Sequence, residues 1–480
     1  MTPFETRTEL LPHQIDAVSK VLPTRVGALF MDMGTGKSRT AIELAKIRAH
    51  KIDRVVWFCP VSLKTTVEYE IRKHTDCSDI YVFDTKTDER SIDMSARWVV
   101  IGLESVSQST RAALATRYIV TENTLCIVDE STYIKGFRAL RTQRLIHFCE
   151  NCRYRLILTG TPMTQGVPDL FAQMYFLSPK ILGYNSWYSF AANHLEYHPT
   201  KKGFIVRTHN HEFLASKMQP YVYQVTKDEC LNLPDKLYHA HYVAMSDEQR
   251  RAYERAKNDF EENALSDDDG DITSIAIFHL FTSLQSIACG FWNYNQNWYL
   301  RDAPRIMEHE TYIHNRIDGL LDVVAGIPAN EKIIVWAKYR HCLDEITTTL
   351  GAENVAQFSG AQSPKERETE LARFRADARF FVATQAAGGH GLTLNEASYV
   401  VFYADGFKYS ERIQAEDRCH RIGQTKRVTY ISIQSDAKID DRIAQSLVRK
   451  SNALRDFRAE IEEVKGKGMK ERVKKLLAEL

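Results

Sequence analysis

The sequence predicts two tandem α/β lobes with parallel sheets, a helical insertion between them and a helical C-terminal stretch. Three observations carry this. Short apolar runs recur in two separate groups. Helix-patterned stretches lie between successive runs, as in βαβ units around a parallel sheet. A less regular, helical zone from about Pro168 to Glu310 separates the groups. At roughly 100–200 residues per domain, the chain holds two to four domains. The boundaries drawn are 1–235 for the first lobe, 236–312 for the insertion, 313–435 for the second lobe and 436–480 for the C-terminal helix and tail.

In the first lobe, Gly27–Met31, Arg54–Cys59, Trp98–Ile101, Leu125–Val128 and Tyr154–Leu158 read as strands, with helices over Ser38–Lys51 and Thr65–His74. Unbroken apolar runs suit parallel strands covered on both faces. In the insertion, the acidic run Ser266–Asp271 reads as a solvated loop. A calcium loop needs a glutamate at its twelfth position, and counting from Asp267 that position is Phe278. Aromatic-rich Phe291–Tyr299 is expected to pack this zone rather than stack bases. In the second lobe, Lys332–Trp336, Val355–Phe358, Phe380–Ala383, Tyr399–Tyr403 and Val428–Ile433 read as strands, with helices over Lys365–Arg375 and Ser410–Arg418. Beyond Asp436 the chain is charged and helical in pattern, interrupted by Gly466 and Gly468; Met469–Leu480 is expected to pack on the second lobe.

Hydrophobic residues make up 44% and charged residues 26%, with a formal net charge of +1. That balance neither demands nor excludes nucleic acid, because basic residues can be confined to one groove. No apolar run reaches the ~18–20 residues of a membrane span. Met1–Leu10 lacks the apolar core of a signal peptide. A cytoplasmic setting is expected. Nine scattered cysteines fit a reducing compartment. The pair Cys149 and Cys152 has no second CxxC and reads as helix-end cysteines near a core.

The segment Met33-Gly34-Thr35-Gly36-Lys37-Ser38-Arg39 follows an apolar strand and opens a helix, the context of a P-loop for ATP. Glycines let backbone N–H groups curl around phosphate oxygens, and the helix presents its positive end. Lys37 suits the β/γ phosphates, and the Ser38 hydroxyl suits Mg²⁺. Met31 departs from the generic motif, which has Gly or Ala there. Cys126-Ile127-Val128-Asp129-Glu130 ends a strand in two acids. Asp129 fits the metal, and Glu130 fits the attacking water. In the second lobe, Arg418 and Arg421 are three apart, hence expected on one helix face, from which they could stabilise charge on a departing phosphate.

The segment Gln414-Ala415-Glu416-Asp417-Arg418-Cys419-His420-Arg421-Ile422-Gly423-Gln424 resembles motif VI of the Swi/Snf-type DNA-dependent ATPases of helicase superfamily two, Q-A-x-D-R-x-H-R-I-G-Q, at every fixed position. The other family motifs appear in order over almost the whole chain. Leu11-Pro12-His13-Gln14 is similar to the segment whose glutamine reads adenine, which maps to Gln14. Pro60–Leu63 resembles motif Ia, with Val67 where a tryptophan is usual and Glu70 keeping the acidic position. Asp129-Glu130-Ser131-Thr132 stands where the family has D-E-A-H, followed by Ile134-Lys135. Leu158–Pro162 is similar to motif III, Lys332–Trp336 to motif IV and Thr384–Leu394 to motif V. Gln224–Pro234 resembles the stretch before the linker, and Asp440–Lys450 the helix that braces the lobes. Ser131-Thr132 for A-H, Thr164-Gln165 for Q-N, Gln385 and Ala386 for a Ser/Thr and a basic residue, and Thr393 for an asparagine are departures.

The resemblance implies RecA-like lobes, ATP and Mg²⁺ as cofactors, ATP contacts from Gly389 and Gly391, and coupling through Gly160, Thr161 and Gln414. It also implies an ATP site completed when the lobes close, translocation on double-stranded DNA, and a stripped, monomeric motor of bacterial or bacteriophage type. Grip on phosphates, independent of base sequence, is expected from Ser62, Lys64, Lys135, Arg138, Lys338, Arg340 and Thr384. Two alternatives stand beside this motor: an RNA- or single-strand-dependent helicase of the same superfamily, and a nucleic-acid-binding scaffold with an ATP-controlled switch.

Overall fold

The computed structural model describes residues 1, 3–84, 93, 95–163, 166–199, 205–264, 274–295, 306–388, 392–450, 452–453, 456–457, 459–460 and 469–480. The acidic run 266–271, the pair Thr164 and Gln165, Gly389, Gly391, Gly466 and Gly468 lie outside them. The chain divides into two compact units, Met1–Asn232 and Leu233–Leu480.

The first unit holds β1 (Val26–Met31), β2 (Arg54–Cys59), β3 (Ile80–Val82), β4 (Trp98–Gly102), β5 (Thr124–Asp129), β6 (Tyr154–Thr159), β7 (Leu195–Tyr197), β8 (Ile205–Thr208) and β9 (Val222–Val225). Seven of these form one sheet in the order β3-β4-β2-β5-β6-β1-β9. Every described pairing in it is parallel. Its inner strands are largely apolar because both faces are covered, whereas the edge strands β3 and β9 are half-exposed. In β1, Ala28 and Phe30 enter one hydrophobic core and Leu29 and Met31 the other. β5 divides likewise, Cys126 and Val128 against Leu125 and Ile127. The thiols of Cys149 and Cys152 lie 3.6 Å from that of Cys126 inside the first core.

The order β5-β6-β1 fixes the site. Asp129 pairs with Leu158 and Phe30 with Thr159, so the carboxyl ends of these three strands finish side by side. Ligands of open parallel sheets bind outside the carboxyl ends of the strands.

The second unit holds β10 (Lys236–Val243), β11 (Phe291–Asn295), β12 (Met307–Thr311), β13 (Lys332–Ala337), β14 (Val355–Phe358), β15 (Phe380–Thr384), β16 (Ala397–Phe402) and β17 (Val428–Ser435). Six form a parallel sheet in the order β10-β17-β16-β13-β15-β14. Lys236–Val243, drawn above into the insertion, is therefore an edge strand of the second sheet. Its residues are half-buried or exposed, so the apolar run that marks inner strands is missing. Helices Asp247–Ala264 and Ser274–Ala288 form the helical part of the insertion among the described residues. They share a core with Ile439, Ile443, Val473, Leu477 and Leu480 from the C-terminal stretch. Phe291 and Trp292 are buried, so the aromatic stretch begins by packing the hairpin β11–β12.

One buried cation ties this unit together. Arg316 donates to the carbonyls of Ala288 (3.1 Å), Tyr403 (2.7 Å) and Ile433 (3.0 Å), to Ser435 Oγ (3.1 Å) and to the Asp440 carboxylate. The insertion, the residue after β16, the strand β17 and the helix Lys438–Val448 thus meet on one guanidinium. Among the described residues, no helix is long and apolar enough to cross a membrane.

Candidate nucleotide-binding site

The loop after β1 turns on two glycines in the left-handed region, Gly34 at φ 81° and Gly36 at φ 89°. Such angles suit glycine, which has no Cβ to clash. Gly36 immediately precedes the helix Lys37–Arg48, whose positive N-terminal end faces the loop. The Lys37 ammonium donates to the carbonyls of Met31 (2.8 Å) and Asp32 (3.2 Å). Met31 closes β1, and its side chain is buried in the core. The loop uses the Met31 carbonyl, not the side chain, and this accounts for a large residue where the generic motif has a small one.

Gln14 is clamped onto this loop. Its Oε1 accepts from Leu11 N (3.0 Å), and its Nε2 donates to the Thr35 carbonyl (3.0 Å). His13 reaches the same carbonyl through Nε2 at 2.7 Å. A Cβ on Gly36 would stand 2.0 Å from Gln14 Nε2, so the glycine also makes room for the glutamine. Thr35 donates through its hydroxyl to the Asp32 carbonyl (2.7 Å), and Asp32 accepts from Lys227 N (3.0 Å) just beyond β9. Met33 and Ser38 are half-buried in the same turn. Arg39 is buried, and its guanidinium binds the Thr8 carbonyl (2.7 Å) and Glu43 (2.8 Å), which braces the N-terminal segment.

At the end of β5, Asp129 is buried and Glu130 lies beside it in the left-handed region, φ 48° and ψ 56°. The Glu130 N–H donates to Asp129 Oδ1 (2.9 Å). Burial first, then the neighbouring Glu130, pushes the Asp129 carboxyl up to about 7, while Lys37 pulls it down. At the end of β6, Gly160 lies against the P-loop: a Cβ there would meet Met31 O and Met33 N at 3.3 Å. Thr161 donates its N–H to Thr159 Oγ1 (3.1 Å). The structure thus brings together Gln14, the loop 33–38, Asp129, Glu130 and Gly160.

Gln173 gave no signal in the sequence. Its Oε1 accepts from the Ser131 hydroxyl (2.6 Å), and its Nε2 donates to the carbonyls of Pro162 and Asp169, both 2.8 Å. The departure Ser131 is thereby absorbed in a buried polar link between the acids and the segment after β6. The two partners are 42 residues apart, beyond any local pattern.

In the second unit, the helix Tyr409–Glu416 ends before Arg418, with Gln414 half-buried in its last turn. Arg418 and Arg421 therefore do not share a helix face as expected. They sit in successive turns closed by Gln424, whose Nε2 donates to the carbonyls of Ala397 (2.9 Å) and Cys419 (3.3 Å), and by Gly423 at φ 98°. The two guanidiniums nevertheless converge, both donating to the Leu392 carbonyl, at 3.4 and 3.0 Å.

The expected phosphate contacts differ in availability. Ser62, Arg138 and Arg340 are exposed. Arg138 also donates to the Tyr188 hydroxyl (3.0 Å). Lys64 donates to the Phe83 carbonyl (2.7 Å), and Lys135 pairs with Asp169 at 3.5 Å. Lys338 turns inward, donating to Gln285 Oε1 (2.8 Å) and lying over the Phe407 ring, and burial holds its ammonium well below the ordinary lysine range. Thr384 is buried, its hydroxyl accepting from Ala387 N (3.2 Å).

Residues 18–290 match the SNF2-related domain and residues 315–423 the helicase conserved C-terminal domain. The chain is 24% identical over 510 residues to the TATA-binding protein-associated factor mot1 of Aspergillus fumigatus, covering 92% of this chain and 26% of that protein. It is 23% identical over 480 residues to an ISWI chromatin-remodeling complex ATPase of Saccharomyces cerevisiae, covering 94% and 40%. It is 25% identical over 325 residues to an uncharacterized ATP-dependent helicase of Mycoplasma genitalium, covering 66% and 29%. The chain thus spans between 26% and 40% of the length of these three relatives. Among solved structures it is similar to the Sulfolobus solfataricus SWI2/SNF2 ATPase core in complex with dsDNA, with a TM-score of 0.42 and 22% identity over 94% of this chain and 93% of that one.

Proposed function

This chain belongs to the SNF2-related family, and from that premise we propose that it is an ATP-dependent motor that hydrolyses ATP to move along double-stranded DNA. The observation that carries the proposal is the meeting of Lys37, Asp129, Glu130 and Gly160 at the carboxyl ends of β1, β5 and β6. A phosphate cradle alone would suit a kinase or a binding switch. A cradle with a buried acid and a second acid beside it suits hydrolysis.

In this proposal the Lys37 ammonium exchanges the Met31 and Asp32 carbonyls for β/γ-phosphate oxygens. Glu130 orients and deprotonates the attacking water. Arg418 and Arg421 stabilise charge on the departing phosphoryl group. Ser38 and Asp129 would hold Mg²⁺ together with phosphate oxygens. The donor set fits that ion: Mg²⁺ ordinarily takes one or two carboxylates plus phosphates and water. Among the described residues, no cluster of three or more His, Cys, Asp or Glu forms a cage made only of protein. A cation there would favour the ionised form that burial and the neighbouring Glu130 oppose at Asp129. Bound Mg²⁺ would supply charge neutralisation between the phosphates.

Ser62, Arg138 and Arg340, which are exposed, are proposed as phosphate contacts on DNA. The monomeric state, the cytoplasmic location and the bacterial or bacteriophage setting are carried as parts of the same proposal.

The test is ATP turnover with duplex DNA, single-stranded DNA, RNA or no nucleic acid, with strand displacement measured in parallel. Duplex DNA is expected to stimulate turnover most, and Lys37→Ala and Glu130→Gln to abolish it. Equal rates with and without every nucleic acid would sink the motor. Stimulation by RNA or single strands alone would move the chain to the first alternative. Biological activity that survives both substitutions would favour the scaffold.

A further inference from the structure

We infer that Asp405, Arg412 and Gln385 form a largely buried positioning device that holds the Arg418–Arg421 turns in place and ties them to the insertion helix Ser274–Ala288. The inference rests on Arg418 and Arg421 acting on ATP, as proposed above.

Asp405 follows β16. Both of its carboxylate oxygens accept from a single nitrogen, Arg412 Nη1, at 2.9 and 2.8 Å. Gln385 Nε2 also reaches Asp405 Oδ1, at 3.3 Å, and Gln385 Oε1 accepts from Gly406 N at 2.7 Å. A Cβ on Gly406 would stand 2.7 Å from Glu411 Oε2 and 2.9 Å from Gln385 Oε1, so a side chain there would push both of those side-chain ends aside. The Asp405 carbonyl accepts from Gln285 Nε2 of the insertion helix at 2.8 Å. Asp405 thus joins three elements: the insertion, the turn after β15 and the helix Tyr409–Glu416.

From Arg412 the chain of contacts continues. Its Nε donates to Glu416 Oε1 at 3.0 Å, and Glu416 Oε2 accepts from Lys236 Nζ (3.1 Å) and Tyr238 Oη (2.7 Å). Arg412 and Lys236 thus face Asp405 and Glu416, with the Asp417 carboxylate 3.9 Å from the same ammonium, in a largely buried setting where leaving a charge unpaired is costly. Glu416 is the last residue of its helix, and its carbonyl accepts from Tyr430 Oη (3.0 Å) and from the N–H groups of Cys419 (3.4 Å) and His420 (3.3 Å). The residues between which Arg418 and Arg421 project are thus pinned to Glu416. Moving the Asp405–Arg412 pair would swing the helix end and both guanidiniums with it.

None of these groups is placed against ATP, so their expected effect is on the alignment of the arginines and not on nucleotide capture. The experiment uses the full chain with saturating duplex DNA. For Asp405→Asn, kcat is expected to fall by about tenfold or more while the KM for ATP stays within about threefold. Asp440→Asn makes the same substitution at another buried arginine pair, Arg316–Asp440, outside this device. It is expected to lower the melting temperature similarly but to keep kcat within about twofold of the unaltered chain. If Asp405→Asn does not fold, Arg412→Lys, which keeps the charge but loses the separate Nη1 and Nε donors to Asp405 and Glu416, decides on the same kcat-against-KM criterion. A kcat within twofold for the deciding variant overturns the inference, as does an equal loss in Asp440→Asn. An unaltered chain without Lys37-dependent turnover overturns the motor proposal and this inference together; turnover in it with an unaffected deciding variant overturns only this inference.

Discussion

At the scale of single residues, Glu130 is held in a backbone conformation that a side chain resists. The left-handed region costs a non-glycine residue roughly 1–2 kcal/mol, and here it sets the second acid beside Asp129. Strain of this kind persists where the surroundings over-determine it. The bonds from Glu130 N to Asp129 and from Tyr133 N to the Glu130 carbonyl, both 2.9 Å, supply that restraint. Glu130→Gly should therefore abolish ATP turnover while leaving the melting temperature unchanged or raised, the gain being about 1 kcal/mol; a clear drop in melting temperature would refute the strain. Gly36→Ala should act the other way. Its new Cβ meets Gln14, and its φ of 89° resists a side chain. Binding of a fluorescent ATP analogue is expected to weaken by about tenfold or more, equivalent to roughly 1.4 kcal/mol, and unchanged affinity would show that the loop adapts freely.

At the scale of elements, what joins them is buried polar contact as much as apolar packing. Arg316 is the clearest case, with three carbonyls, a hydroxyl and a carboxylate on one guanidinium. Removing one partner of a buried ion pair costs roughly 3–5 kcal/mol, whereas replacing both with apolar groups can cost much less. Arg316→Met should lower urea stability by that order, and adding Asp440→Leu should recover part of the loss. Additive losses would mean that Arg316 acts mainly through the carbonyls. In the first unit, the Ser131–Gln173–Pro162 link plays a comparable part at smaller scale.

At the scale of the whole molecule, each unit has its own sheet with a core on both faces. The second also carries a third core, where the C-terminal helix contributes Val473, Leu477 and Leu480, and Tyr253 Oη donates to the Leu480 carbonyl at 2.6 Å. Calorimetry is expected to resolve two transitions. Deleting residues 469–480 should lower one of them and leave the other within about 1 °C, since changes remote from a domain's contacts add independently. A shift of both transitions would show that the two units unfold as one.

The sequence by itself determined the two parallel sheets, the glycine loop around Lys37 at the end of a strand and the acids Asp129 and Glu130 at the end of another. These were legible because inner parallel strands are apolar on both faces, and because phosphate chemistry demands particular residues at fixed local spacing. Within the two large sheets, the strands that escaped, β3, β9 and β10, are all edges and are half-buried or exposed along most of their length; the two-stranded pairs β7–β8 and β11–β12 escaped as well. Only the tertiary structure decided that Arg418 and Arg421 lie in turns and not on a helix, that Lys338 faces inward, and that Gln173 and Asp405 link distant segments. Such facts depend on which polar groups meet across tens or hundreds of residues once the cores close. No local period records those meetings, because a buried hydrogen bond is chosen by the partner the fold delivers.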